Sequence, residues 1–129
     1  MANRIEDAVN KKMSGYNCAQ AVACAFKDYV DVSEDELKKI TQGFAVGMGT
    51  MEGSCGAIVG AAVILGLVND NPAKTFKDVK GIMSQFKDSN GSVICKELKG
   101  IETGKVLREC NDCVSDAARM LQEILDKDK

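Results

Sequence analysis

Residues 55–68, CGAIVGAAVILGLV, carry no charge at all. The run is 14 residues long, too short for a membrane-spanning helix, which needs about 20. In a chain of which 28% is charged, a helix that is apolar all round is stable only when other elements cover it. The run therefore predicts a buried central helix over about 55–68. Ser54 stands where an N-cap belongs, which puts Cys55 in the first turn. There the free N–H groups and the helix dipole favour an anion, so a thiolate at Cys55 is stabilised. Gly56 and Gly60, with Ala57 and Ala61, repeat at i, i+4 and leave a flat face for a second backbone. The glycine-rich stretch 43–53 precedes the run. It has neither the Gly-Lys-Ser/Thr ending nor the G-x-G-x-x-G spacing of phosphate loops, and no strand leads into it. It reads as a loop that lets backbone pack near Cys55.

Helical periodicity covers most of the remaining chain. A first helix is expected over 3–13, capped by Asn3, with Ile5, Ala8, Val9 and Met13 on one face. Asn17 caps a second, from Cys18 to about Tyr29. Ser33 followed by Glu36 is a capping-box pattern and starts a third, running to about Gln42, with Leu37, Ile40 and Phe44 facing in. Asn71 and Pro72 start a long helix to about Lys87, Pro72 taking the first position, where its missing N–H costs nothing. Its stripe is Phe76, Val79, Ile82, Met83 and Phe86. Ser92 caps a short helix over 93–98 that Gly100 ends. A last helix runs from about Glu109 to Asp126, with Val114, Ala117, Ala118, Leu121, Ile124 and Leu125 inward. No strand pattern occurs. The chain reads as a single all-α domain over 1–129, a compact bundle of five to six helices around the buried central one.

Six cysteines and no histidine narrow the chemistry. Without histidine there is no Cys–His nucleophile pair and no mixed Cys/His zinc site. The N-terminal residues are polar and acidic, unlike a secretory signal, so a cytoplasmic protein is expected and a secreted disulfide framework is not. The net charge of −2 and scattered basic residues argue against nucleic acid and an anionic membrane surface. Cys18, Cys55, Cys95 and Cys110 each fall at or near a predicted helix start, which points to several helix N-termini converging on one site. Cys110 and Cys113 form a C-x-x-C pair on one helix face. Cys24 lies off the Cys18 line and reads as a packing residue.

The order of these motifs resembles the C_GCAxxG_C_C family, whose redox activity the family label itself proposes. Tyr16-Asn17-Cys18-Ala19-Gln20-Ala21-Val22 is similar to its first motif. Gly53-Ser54-Cys55-Gly56-Ala57-Ile58-Val59-Gly60 is similar to the central one. Cys95-Lys96-Glu97-Leu98 and Cys110 with Val114 are similar to the last two. The family name has glycine before its central cysteine and alanine after it; here Ser54 and Gly56 take those places. Cys113 is additional to the pattern. The resemblance implies a helical, cytoplasmic protein with an electron-transfer or thiol–disulfide role.

The first functional expectation is a redox-active thiol protein, a thiol–disulfide oxidoreductase or electron carrier. Cys55 is its lead thiolate and Cys18 the nearest partner. Cys95 and Cys110, with Cys113, form a second or resolving pair, and a reductase or ferredoxin-like partner supplies electrons. The alternative is a metal protein in which Cys18, Cys55, Cys95 and Cys110 ligate zinc or an iron–sulfur cluster. A third reading is a helical interaction domain whose cysteines only pack. The small-residue face of the central helix makes a homodimer a further expectation.

Overall fold

The computed structural model describes residues 3–128. Met1, Ala2 and Lys129, the ends of the expected 1–129 domain, lie outside the described residues. Among the described residues there are seven α-helices: α1 (Arg4–Met13), α2 (Cys18–Ala25), α3 (Glu34–Thr41), α4 (Gly56–Val68), α5 (Pro72–Asn90), α6 (Cys95–Lys99) and α7 (Cys110–Lys127). A 3₁₀ turn, Lys27–Tyr29, takes the end of the expected second helix, and a π turn, Gly47–Met51, lies in the glycine loop. The fold is all-α, with no strand among the described residues and one isolated antiparallel bridge, Ser54 with Ile94. The short α6 stands apart because left-handed glycines, Gly91 (φ 87°) and Gly100 (φ 69°), end α5 and α6.

The sequence's caps explain most helix starts. The Asn3 side chain accepts from the Ile5 and Glu6 N–H groups, and that of Asn71 from Ala73 and Lys74. Asn17 and Gln20 form a full reciprocal capping box at α2. Ser33 accepts from the Glu36 N–H. Ser54 does not cap α4. The bridge holds it in extended backbone, the Cys55 N–H donates to the Val93 carbonyl (2.7 Å), and the Cys95 N–H donates to the Gly53 carbonyl (3.0 Å). Cys55 therefore takes the N-cap position itself. Ser92 likewise sits ahead of its helix, its hydroxyl accepting from the Ile94 N–H and donating to Glu97, while Ile94 occupies the N-cap.

α4 is the centre of the bundle. Gly56, Ala57, Ile58, Gly60, Ala61, Ile64 and Leu65 are buried, with α2 on one side and α5 and α7 on others. Its flat face meets the backbone of α2: a β-carbon at Gly60 would lie 2.5 Å from the Ala19 carbonyl oxygen. Burial all round is not reached: Val59, Ala62 and Val63 are half-buried along one stripe of the helix. Towards the C-terminal end Gly66 and Leu67 are exposed, beyond the reach of α2. Three residues expected inside face solvent, namely Met13, Ile40 and Phe76. Met13 and Ile40 lie in the last turns of α1 and α3, and Phe76 in the first turns of α5, so each stripe runs past the core it serves. Phe76 is 72% exposed.

Candidate functional site

Five of the six cysteines line one cavity of about 20 Å³: Cys18, Cys55, Cys95, Cys110 and Cys113. That volume is about one water molecule's worth. Each arrives from a different local cause. The Asn17 capping box starts α2 at Cys18. The bridge holds the start of α4, at Cys55, beside the start of α6, at Cys95. α7 begins at Cys110, and Cys113 follows three residues later on the same face. The bundle thus brings four helix starts together. Cys24 is apart from them, buried in α2 with its thiol towards the Glu34 carbonyl, the packing place expected of it.

Glycines let these backbones meet. A β-carbon at Gly56 would lie 2.6 Å from the Phe44 carbonyl oxygen and 3.3 Å from the Cys18 Cβ. At Gly47 it would lie 2.7 Å from the Cys95 Cβ. The loop's compactness also forces non-glycine residues into left-handed backbone, Val46 (φ 53°), Met48 (φ 64°) and Met51 (φ 64°). A β-branched residue there is strained, and Val46 forms part of the cavity wall.

Two of the five sulfurs are in direct contact. Cys18 Sγ and Cys110 Sγ are 3.0 Å apart, in hydrogen-bonding contact and outside the bond length of about 2.05 Å. Cys113 neighbours Cys55 on the cavity wall and lowers its thiol; the Cys113 thiol itself donates over 3.9 Å to the Arg108 carbonyl. This corrects the expected pairing. Cys18 faces Cys110 where Cys55 is the expected neighbour, and no direct contact joins Cys110 to Cys95 among the hydrogen bonds of the described residues. The reason lies in α7, which crosses the cavity so that its first residue meets α2 and its fourth meets α4.

Cys110 and Cys55 are lowered, and Cys18 and Cys113 are raised. The Cys18 thiol holds Cys110 down at about 6, burial opposing and the Lys12 and Lys99 ammonium groups assisting. Cys18 is raised as the donor, and burial raises it further. Cys55 is lowered by the Cys113 thiol, against burial, and by the Ala57 and Ile58 N–H groups at the start of α4. Cys113 is raised in turn, first by Cys55 and then by burial. Burial pushes Cys95 up. Cys110 alone of the five is only half-buried, and a charged sulfur is best placed where water and lysines reach it.

Arg108 and Lys99 complete the rim, and sequence reasoning missed both. Arg108 is fixed by a two-pronged bond to Asp116: Nε to Oδ2 at 2.9 Å and Nη2 to Oδ1 at 3.0 Å. The available signal was an aspartate between Val114 and Ala117 on the inward face of α7, since a buried carboxylate needs a cation nearby. For the expected thiolate ligand set, the described residues hold no group of three or more Cys, Asp or Glu side chains disposed to hold a metal ion. What the cavity offers is one close thiol pair, Cys18 and Cys110, with three further thiols beside it. No described helix is long and apolar enough to cross a membrane.

Among curated proteins and solved structures nothing matches this chain. A family model described as "Putative redox-active protein (C_GCAxxG_C_C)" matches residues 16–124. That stretch contains all six cysteines and every wall of the cavity, and the chain belongs to the C_GCAxxG_C_C family.

Proposed function

We propose that the protein carries out thiol–disulfide exchange, with Cys110 as the attacking thiolate and Cys18 as the resolving thiol. The observation that carries this is the 3.0 Å contact between the two sulfurs. The lead role expected for Cys55 passes to Cys110, because Cys55 is 6% exposed while Cys110 is half-buried and reachable. In the oxidising direction the Cys110 thiolate attacks one sulfur of a partner's disulfide. A mixed disulfide forms and one partner sulfur leaves as thiolate. Cys18, giving its proton to that thiolate, attacks the Cys110 sulfur and releases the second partner sulfur. The partner disulfide becomes two thiols, one of them ionised, and two protein sulfurs become one disulfide. A dithiol reductase partner reverses the sequence. Free, closely spaced thiols suit a reducing compartment such as the cytoplasm.

The test is a free-thiol count on anaerobically purified protein, before and after mild oxidation, with metal and sulfide measured on the same sample. Loss of thiols in pairs, starting with Cys18 and Cys110 and reversed by a dithiol reductant, is the expected result. Stoichiometric iron or zinc with few titratable thiols would replace this reading with the metal one. Thiols inert until unfolding would leave a packing role.

A further inference from the structure

Thiol exchange at Cys18 and Cys110 leaves Cys55 and Cys113 unexplained. Both are buried and line the same small cavity as Cys18 and Cys110. Neither position suits direct attack on an outside disulfide. Cys113 nevertheless lies one helical turn from Cys110 on the same face of α7. Resting on the exchange reading above, we propose that the four cysteines form an internal relay: the disulfide made at Cys18–Cys110 is passed through Cys110–Cys113 to Cys55–Cys113, so that the chain stores two disulfides.

Each step balances within the chain. The starting state is a Cys18–Cys110 disulfide beside a Cys113 thiol and a Cys55 thiolate. Cys113 attacks the Cys110 sulfur, the Cys18–Cys110 bond breaks, and the Cys113 proton ends on Cys18. The Cys55 thiolate then attacks the Cys113 sulfur, and Cys110 leaves as thiolate. The product is a Cys55–Cys113 disulfide beside a Cys18 thiol bonded to a Cys110 thiolate. One negative charge is present throughout, and no proton or electron enters or leaves. The outer pair returns to its receptive state and takes a second disulfide from the same class of external oxidant, an organic disulfide. The directions of shift match this cycle, with Cys110 and Cys55 the lowered thiols at its two ends.

The experiment uses the full chain, reduced and free of oxygen, mixed with one equivalent of oxidised glutathione. Samples are quenched in acid over seconds to minutes, the remaining thiols are alkylated, and the peptides are mapped by mass. Cleavage after Lys and Arg leaves Cys110 and Cys113 on one peptide, Glu109–Arg119. The intermediate therefore reads as that peptide short of two hydrogens. The expected sequence is Cys18–Cys110 first and Cys55–Cys113 later, with four thiols lost in excess oxidant. Cys55→Ser should accumulate the Cys110–Cys113 form, and Cys24→Ser should follow the wild-type course. If Cys55→Ser fails to fold, the wild-type time course decides alone. A Cys18–Cys110 disulfide that persists, with Cys55 and Cys113 still free in excess oxidant, overturns the relay and leaves the exchange reading standing. Simultaneous appearance of both disulfides also overturns it. Absence of Cys18–Cys110 at every time overturns both.

Discussion

Removing the Cys18 thiol tests the central contact. In Cys18→Ala the Asn17–Gln20 box that starts α2 is untouched, so the helix should form. Cys110 loses the donor that contributes most to holding it at about 6, while burial continues to push it up. The working limit is a return to the ordinary 9.0, with burial pushing beyond it. At pH 7 that limit lowers the thiolate fraction from ~0.9 to ~0.01, a fall of ~90-fold. A more basic thiolate is a better nucleophile, and a Brønsted coefficient of ~0.45 returns ~20-fold of it. The rate at pH 7 thus falls only ~4-fold, and the sharper signal is the midpoint of the rate profile. The assay is alkylation of Cys110 by iodoacetamide between about pH 5 and 10, followed on the Glu109–Arg119 peptide, with Cys24→Ala as control. Wild type and Cys24→Ala should show a midpoint near 6, and Cys18→Ala one displaced upward. A wild-type midpoint near 9, or a Cys18→Ala profile that overlies the wild type, refutes the reasoning.

Four further outcomes are expected. Gly60→Ala drives a methyl into the Ala19 carbonyl oxygen, 2.5 Å away; denaturant titration should show a loss of about 1–3 kcal/mol and a weaker Cys18–Cys110 contact. Asp116→Ala removes the acceptor shared by Arg108 and Asn90 and should cost about 2 kcal/mol, Arg108 being partly hydrated. Val46→Asn relieves left-handed strain at a half-exposed position and should raise stability by about 1 kcal/mol in the same titration. In the reduced protein, folded Cys110 is ionised above about 6 while the unfolded thiol holds its proton to about 9. Stability should therefore rise with pH through that window and fade as pH drops through 6. It should fall again above about 9, where Cys18, Cys24, Cys95 and Cys113 stay protonated only when folded. A denaturation midpoint that is flat from pH 6 to 8 would contradict this.

The sequence made the helices legible because their signals are local. Asn3, Asn17, Ser33 and Asn71 cap where expected, and the uncharged run at 55–68 lies at the centre. The convergence of Cys18, Cys55, Cys95 and Cys110 was readable because a cysteine at a helix start recurs four times. The partners were not readable. Which sulfur faces which depends on how α7 crosses α2 and α4, a packing outcome with no one-dimensional signature. Ser54 misled for a similar reason: its local chemistry favours a cap, but the bridge to Ile94 is a tertiary contact that moves the cap to Cys55. Met13 and Phe76 continue apolar stripes past the core, and periodicity does not say where a neighbour ends.

The missing histidines give the site its logic. Thiol exchange needs an ionised sulfur and somewhere to keep a proton, roles that an imidazole commonly fills. Here neighbouring sulfurs fill both. Cys18 holds the proton whose hydrogen bond stabilises Cys110 as thiolate, and Cys113 acts in the same direction on Cys55. Burial alone would raise all of them and leave the cavity unreactive, as it raises Cys95. The helix starts counter burial at Cys55 through the Ala57 and Ile58 N–H groups. Lys12 and Lys99 counter it at Cys110, where water also reaches. A charged sulfur nearby limits this at Cys55, which the Cys110 charge raises. That repulsion favours forming a disulfide in either pair, because oxidation removes one of two like charges from a cavity of about 20 Å³. The first disulfide formed should therefore leave the remaining thiolate more acidic and less nucleophilic than before, and the second more slowly made than the first.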